Sequence, residues 1–125
     1  MPARRKPIAQ GLTADCCPAG DVRPLPPVAT SRCVEVFRAL GDATRLDVFR
    51  LIASRREPIC VCEITPRFAV SQPTISHHLR VLREAGLVTA TRRGVWAYYE
   101  ANPEGVEAAR SLLDAVLPEA AKADA

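Results

Sequence analysis

The stretch Val70-Ser-Gln-Pro-Thr-Ile-Ser-His-His-Leu-Arg-Val-Leu-Arg-Glu-Ala-Gly86 decides how this chain folds. Ser71 is a good N-cap, because its hydroxyl can take a backbone N–H that the first helical turn leaves free. Pro73 falls inside that first turn, where its missing N–H is no loss. Gly86 supplies the left-handed residue that ends a helix. Between the caps, Ile75, Leu79 and Leu82 recur at helical spacing and form one apolar stripe. The other face carries Gln72, Thr74, Ser76, His77, Arg80 and Arg83, a row of hydrogen-bonding side chains with neutral to basic charge. Such a face is either simply solvated or fit for a DNA major groove, where Gln, Thr and Arg meet base edges or phosphates. The neighbouring segments decide between the two.

Upstream, residues 59–68 read as a short helix with Val61, Ile64 and Phe68 inward, and Pro66 requires it to be short or to begin near Pro66. A tight turn through Ala69-Val70-Ser71 leads into the quoted stretch. Two short helices joined this way, the second with a polar outer face, form a helix-turn-helix. Further upstream, residues 27–40 give a helix with Cys33, Val36, Phe37 and Leu40 on one face, which makes Cys33 a small core or interface residue. Gly41 ends that helix, and Asp42 caps another over about 43–53. Leu46, Phe49 and Ile52, with Val48, bury the second helix, while Arg45, Asp47 and Arg50 stay in water.

Downstream, residues 87–93 and 95–100 alternate as two strands around Arg93-Gly94, a β-hairpin with glycine at its turn. A basic hairpin tip after a recognition-type helix is a wing, with Arg92 and Arg93 set against phosphates and Trp96 and Tyr98 packing the wing. Asn102 caps a last helix beginning at Pro103, in which Val106, Ala109, Leu112, Leu113 and Val116 form an apolar stripe and which Pro118 ends. The fold class is therefore mainly α with a small β-hairpin (α+β), a winged helix-turn-helix. The apolar faces of its first and last helices are natural dimer-forming surfaces, and a homodimer is expected. Residues 1–29, proline-rich and without apolar periodicity, read as a flexible arm, 30–118 as the DNA-binding and dimerisation domain, and 119–125 as a frayed tail.

The whole chain sets bounds on function. Its 125 residues make one domain, and its net charge of +3 excludes a histone-like polycation. Arg dominates the basic residues, and the guanidinium fork suits phosphate and guanine. No apolar run approaches the ~20 residues of a membrane helix, so no membrane partner is expected. The basic start Met-Pro-Ala-Arg-Arg-Lys-Pro is not followed by an apolar signal core, and the chain reads as cytoplasmic. Five cysteines in that compartment argue against a disulfide framework and toward free, metal-bound or redox thiols. They fall as Cys16-Cys17 in the arm, the lone Cys33, and Cys60-Val-Cys62. A thiol redox enzyme more often shows Cys-x-x-Cys beside a strand-helix-strand pattern, which is not visible here, and no enzyme is expected. A DNA-binding sensor whose thiols simply oxidise remains an alternative. His77 and His78 point apart on a helix, one inward and one toward DNA, and make no metal site.

In Phe37-Arg-Ala-Leu-Gly-Asp-Ala-Thr-Arg-Leu46, Ile59-Cys-Val-Cys-Glu-Ile64, Val70-Ser-Gln-Pro-Thr-Ile-Ser-His-His-Leu79, Leu82-Arg-Glu-Ala-Gly-Leu-Val88 and Arg93-Gly-Val-Trp-Ala-Tyr-Tyr99, the chain resembles the ArsR/SmtB-type bacterial metalloregulatory repressors. The pieces stand in the family's order over residues from about 33 to 100. The resemblance implies a homodimeric repressor that leaves its operator DNA when a metal or metalloid binds. Ser71, Gln72, Thr74, Ser76, His77, Arg80, Arg92 and Arg93 would then meet the DNA. Cys60-Val-Cys62 resembles the thiol motif of the arsenic- and cadmium/lead-sensing branches, and Cys16-Cys17 the arm cysteines of arsenic sensors. The His and carboxylate set that zinc, nickel and cobalt branches carry on the last helix has no counterpart here, since residues 103–117 contain only Glu104, Glu107 and Asp114 and no His.

Ligand chemistry agrees with that branch. Soft thiolates select thiophilic ions. Three suit a pyramidal As(III) or Sb(III), and four suit Cd(II), Pb(II) or Zn(II). Residues two apart on a helix point about 200° round from each other, so Cys60 and Cys62 face one ion only if Cys60 lies in the extended entry to its helix. The expected ligands are Cys16, Cys17 and one of Cys60 or Cys62 for As(III), and all four for a divalent ion. Some arsenic sensors carry a further Cys shortly after this motif; Thr65 and Pro66 follow Ile64 here, so the third ligand must come from the arm.

Overall fold

The computed structural model describes residues 24–117. The Cys16-Cys17 pair, most of the arm and the tail 119–125 lie outside the described residues. The elements in chain order are α1 (Pro27–Leu40), α2 (Ala43–Ala53), β1 (Ile59–Cys60), α3 (Val61–Ile64), α4 (Gln72–Glu84), β2 (Val88–Arg93), β3 (Trp96–Ala101) and α5 (Pro103–Val116). A 3₁₀ turn, Thr65–Arg67, extends α3. Pro27 opens α1 at a position that needs no N–H, so the first turn of α1 falls within the segment assigned to the arm.

The core gathers one face of each element. Ala39 of α1, Val48 and Ile52 of α2, Ile59, Cys60 and Ile64 around α3, Ile75, Leu79 and Leu82 of α4, and Leu87 and Val88 are buried together. The α4 stripe read from the sequence is the helix's buried face, and its polar row is left outside. The Ser71 side chain accepts the Thr74 backbone N–H at 3.4 Å. At the other end, Gly86 has φ 77°. Its N–H donates to the Arg83 carbonyl, and the Leu87 N–H donates to the Leu82 carbonyl, each at 3.0 Å. This Schellman closure packs Leu82 and Leu87, both buried, against each other.

Several expectations change. Residues 59 and 60 are not helical. They form a strand that makes the hairpin a three-stranded antiparallel sheet in the order β1-β3-β2. Ile59 pairs with Tyr99 and Cys60 with Tyr98. Pro66 is accommodated because a new 3₁₀ turn starts beside it, so the helix proper is four residues long. On α1, Ala39 rather than Phe37 faces the core, and Phe37 is 48% exposed. Leu46, expected inside, is exposed as well, and Phe49 is only half-buried. Arg45, expected in water, is half-buried and bonded. Trp96 lies at the hairpin end and is 48% exposed, while Tyr98 packs against the core as expected. Cys33 is buried and free, its Sγ 4.0 Å from the Leu112 carbonyl of α5.

The joint between α4 and α5 is close. Asn102 precedes α5, but its side chain does not cap that helix. Its Nδ2 donates instead to the Gly86 carbonyl at 3.0 Å, and its backbone N–H to the Leu87 carbonyl at 2.9 Å. Gly105, inside α5, lies so near the end of α4 that a Cβ there would be 1.7 Å from the Gly86 oxygen.

Candidate nucleic-acid interface and thiol site

Gln72, Ser76, His77 and Arg80 are exposed on the outer face of α4, with Arg83 one turn further. Thr74 is half-buried, and its hydroxyl lies 3.0 Å from that of Ser71, so these two side chains spend part of their hydrogen-bonding capacity on the cap. Arg92 and Arg93 are exposed at the end of the hairpin. Arg93 pairs with Trp96 across a two-residue turn in which Gly94 has φ 64° while Val95 does not have positive φ, the type II′ arrangement. The Arg93 guanidinium sits 4.9 Å from the Tyr98 ring centroid, a cation–π contact that leaves its donors available. The helix face and the hairpin thus offer donors with no carboxylate between residues 71 and 80 or between 89 and 97.

The two histidines divide as expected in one respect. His77 is exposed, and His78 is 7% exposed, the buried polar side chain among the described residues. Its partners were not legible in the sequence. Nδ1 lies 3.3 Å from Nη1 of Arg45, and Nε2 lies 3.9 Å from Oδ1 of Asp42. Burial pushes the imidazole below its ordinary 6.5; the Asp42 carboxylate pulls the other way, and Arg45 and His77 reinforce the burial. Asp42 is held below its ordinary 3.8, first by the backbone N–H of Arg45; burial is the next effect and opposes this, and the His78 and Arg45 charges add smaller lowering effects. The local cue to Arg45 is its place three residues after the cap Asp42, but its pairing with His78 spans 33 positions.

Cys60 has extended backbone (φ −69°, ψ 143°) and Cys62 is helical, the arrangement required for both sulfurs to face one point. Their Cα atoms are 5.1 Å apart and the sulfurs are joined in a disulfide, where free, metal-bound or redox thiols were expected. Cys60 is 1% exposed, and its Sγ accepts the Cys62 N–H at 3.3 Å; Cys62 itself is exposed. Among the described residues no third Cys, His, Asp or Glu joins this pair to make a metal-binding group. On α5, Glu107 pairs with Arg110 at 3.5 Å.

Comparison with known proteins bears directly on this arrangement. Residues 42–90, which hold α2, α3 and α4, match the model of the arsR family of bacterial regulatory proteins. An arsenic resistance transcriptional regulator of Pseudomonas putida is 40% identical over 102 residues, 80% of this chain and 73% of its own length. The chain belongs to the ArsR family. The arsenical resistance operon repressor of Escherichia coli is 36% identical to this ArsR-family chain over 81 residues, 65% of this chain and 68% of its own length. A crystal structure of a possible transcriptional regulator for arsenical resistance superposes with a TM-score of 0.61 at 34% identity, covering 73% of this chain and 96% of that one. The ArsR-family chain is accordingly a winged helix-turn-helix transcriptional regulator that binds DNA, and not an enzyme. Among the described residues no helix is long and apolar enough to cross a membrane.

Proposed function

We propose that the protein is a cytoplasmic, homodimeric repressor that releases its operator when As(III) or Sb(III) binds cysteine thiolates. The observation that carries this reading is the convergence of the Cys60 and Cys62 sulfurs on the segment that leads into α4. The names of the relatives, which concern arsenical resistance, support the choice of metalloid. Once reduced, the pair offers soft donors, and one of Cys60 or Cys62 together with Cys16 and Cys17 of the arm makes a three-thiolate set. Cys62, being exposed, is the member an arm can reach without opening the core. With Cd(II) or Pb(II) all four cysteines would serve. The DNA contacts assigned are Ser71, Gln72, Thr74, Ser76, His77, Arg80, Arg92 and Arg93. Dimerisation is supported by the apolar side chains that α1 and α5 leave outside, among them Val34, Phe37, Leu113 and Val116.

The release step follows from chain connectivity. Only the 3₁₀ turn and residues 68–71 separate α3 from α4. An ion drawn between Cys62 and the arm displaces α3, and through that link the outer face of α4. A groove contact depends on donor positions to a fraction of an ångström, so a small displacement in both subunits weakens binding. The variant Cys16→Ser with Cys17→Ser tests this. It is expected to bind operator as the parent does and to lose release by arsenite, read by fluorescence anisotropy in reducing buffer. Unchanged release in that variant removes the arm from the site.

A second reading is favoured by the Cys60–Cys62 disulfide itself. The pair would then sense an oxidant, two thiols giving up two protons and two electrons to it, with operator release by peroxide and none by arsenite.

A further inference from the structure

Arg45 reaches three helices. Its Nε donates to the Ala39 carbonyl and its Nη2 to the Arg38 carbonyl at 2.8 Å, both in the last turn of α1. Its backbone N–H donates to Oδ1 of Asp42 at 2.9 Å, at the start of α2. Its Nη1 faces Nδ1 of His78, near the middle of α4, at 3.3 Å. A guanidinium only donates and keeps its charge. Nδ1 of His78 must therefore accept, which puts the ring proton on Nε2, toward Asp42. The contact exists only with a neutral imidazole.

The rest of α4 is held by Ile75, Leu79 and Leu82, whose burial is strong but non-directional. Apolar contact fixes how closely α4 packs and tolerates a small rotation about its axis. A hydrogen bond from a planar fork does not. His78 is also the residue next to His77, which lies on the outer, DNA-facing side. A rotation that breaks the Arg45 contact would swing the whole outer row from Gln72 to Arg80.

We propose that Arg45 and His78 are positioning residues for DNA recognition, fixing the rotation of α4 against α1 and α2, and that protonation of His78 releases this lock and with it sequence discrimination. This rests on α4 being the DNA-reading helix of the family. On protonation Nδ1 becomes a donor facing a donor, and an imidazolium stands against a guanidinium. The charged and titratable groups facing the ring are Asp42 and Arg45 from α2 and His77 from its own helix. Asp42 opposes the repulsion, but at 3.9 Å and half-exposed it does not replace the lost bond. The lowered affinity of His78 for a proton keeps the lock closed at neutral pH.

The chain has two histidines, so His77→Gln leaves His78 as the remaining imidazole. In that background the full chain, reduced and free of metal, is titrated against two duplexes of equal length. One is selected from random DNA by the wild-type protein, and the other is its scrambled version. The ratio of the two affinities removes the non-specific phosphate contribution, which changes with pH and salt for both alike. The ratio is expected to fall as the pH is lowered from 7.5, the fall lying below pH 6.5 because burial lowers the affinity of His78 for a proton. It should approach about tenfold, the loss of a hydrogen bond to a charged group, once His78 is protonated. Adding His78→Gln, whose amide oxygen accepts from Arg45 at every pH, should keep the ratio high and flat. Arg45→Gln should lower the ratio about tenfold at pH 7.5 and abolish its pH dependence. Arg45→Lys, which keeps the charge but not the fork, should fall between and serves if Arg45→Gln does not fold. A purely structural role would lower the unfolding midpoint of these variants and leave the ratio unchanged, and that result would overturn the proposal. So would a pH dependence that survives His78→Gln, or equal losses on both duplexes.

Discussion

Replacing Gly105 by Ala sets two effects of opposite sign against each other. In an unobstructed helix the change would stabilise by about 1 kcal/mol, because Ala has the higher helix propensity. Here the new Cβ would stand 1.7 Å from the Gly86 carbonyl oxygen and 2.8 Å from its carbon. Both atoms are backbone of the residue that closes α4, held by the Schellman hydrogen bonds, so they cannot swing aside as a side-chain tip would. To reach tolerable contact α5 must retreat by more than about 1 Å, as repulsion rises steeply inside van der Waals distance. That retreat strains or breaks the Asn102 bonds to Gly86 and Leu87, about 1 kcal/mol each. It also opens the packing of α5 against α1. Overpacking of this kind costs about 1–3 kcal/mol. The net expectation for Gly105→Ala is a loss of about 2–4 kcal/mol after the propensity gain is subtracted. For a domain of this size that lowers the thermal midpoint by roughly 10 °C. Urea and thermal unfolding at one fixed protein concentration measure it, since dimerisation would make the midpoint concentration-dependent. A variant as stable as the parent, or more stable, would refute the reading that α5 is seated directly on the end of α4.

Phe37→Glu should raise the dimer dissociation constant about a hundredfold, since a charge would be desolvated among exposed apolar groups of α1 and α5. Sedimentation equilibrium measures this, and an unchanged dimer would move the interface elsewhere. Arg80→Ala should weaken operator binding about tenfold by removing a groove contact. Arsenite affinity should not change, and a shift in it would break the separation between DNA face and thiols. Stability should be level above about pH 6.5 and decline as pH falls through the lowered pKa of His78, because the unfolded chain takes up that proton first. Asp42 acts in the same direction further down, below its ordinary 3.8. Denaturant midpoints across pH test this, and a midpoint that rises on acidification below pH 6.5 would contradict it.

The helices of this chain could be read from the sequence because their signals are local. Asp42 and Ser71 cap, Gly86 closes, and the apolar residues of α4 repeat at the helical period, so those elements appear where the spacing puts them. Strand β1 was not legible. A strand of two residues shows no alternation, and Ile59-Cys60 is extended only because Tyr98 and Tyr99 of β3 pair with it. Periodicity also cannot say what a face meets. Leu46 and Trp96 are apolar and were assigned to the interior, yet they lie on surfaces the single chain leaves uncovered, and spacing alone did not say whether the face of Phe37 meets the core or an interface.

The site divides in the same manner. The outer row of α4 followed from its own spacing, whereas an extended Cys60 entered only as the condition for two sulfurs to meet, and the helix expected from residue 59 ran against it. The Arg45–His78 contact joins residues far apart in sequence through one guanidinium, and neither residue is unusual for a helix. Gly105 offers no local signal either, since glycine within a helix reads as a weakness until the carbonyl beside it is located.

The central claim is that thiol ligation moves the DNA-reading helix. It is tested most directly by titrating As(III) into the reduced protein bound to a fluorescent operator duplex, with sulfur-to-arsenic absorbance and anisotropy followed in the same cuvette. The account predicts that both signals change together and saturate at one As(III) per subunit. Absorbance that saturates while the protein stays on the DNA would contradict it.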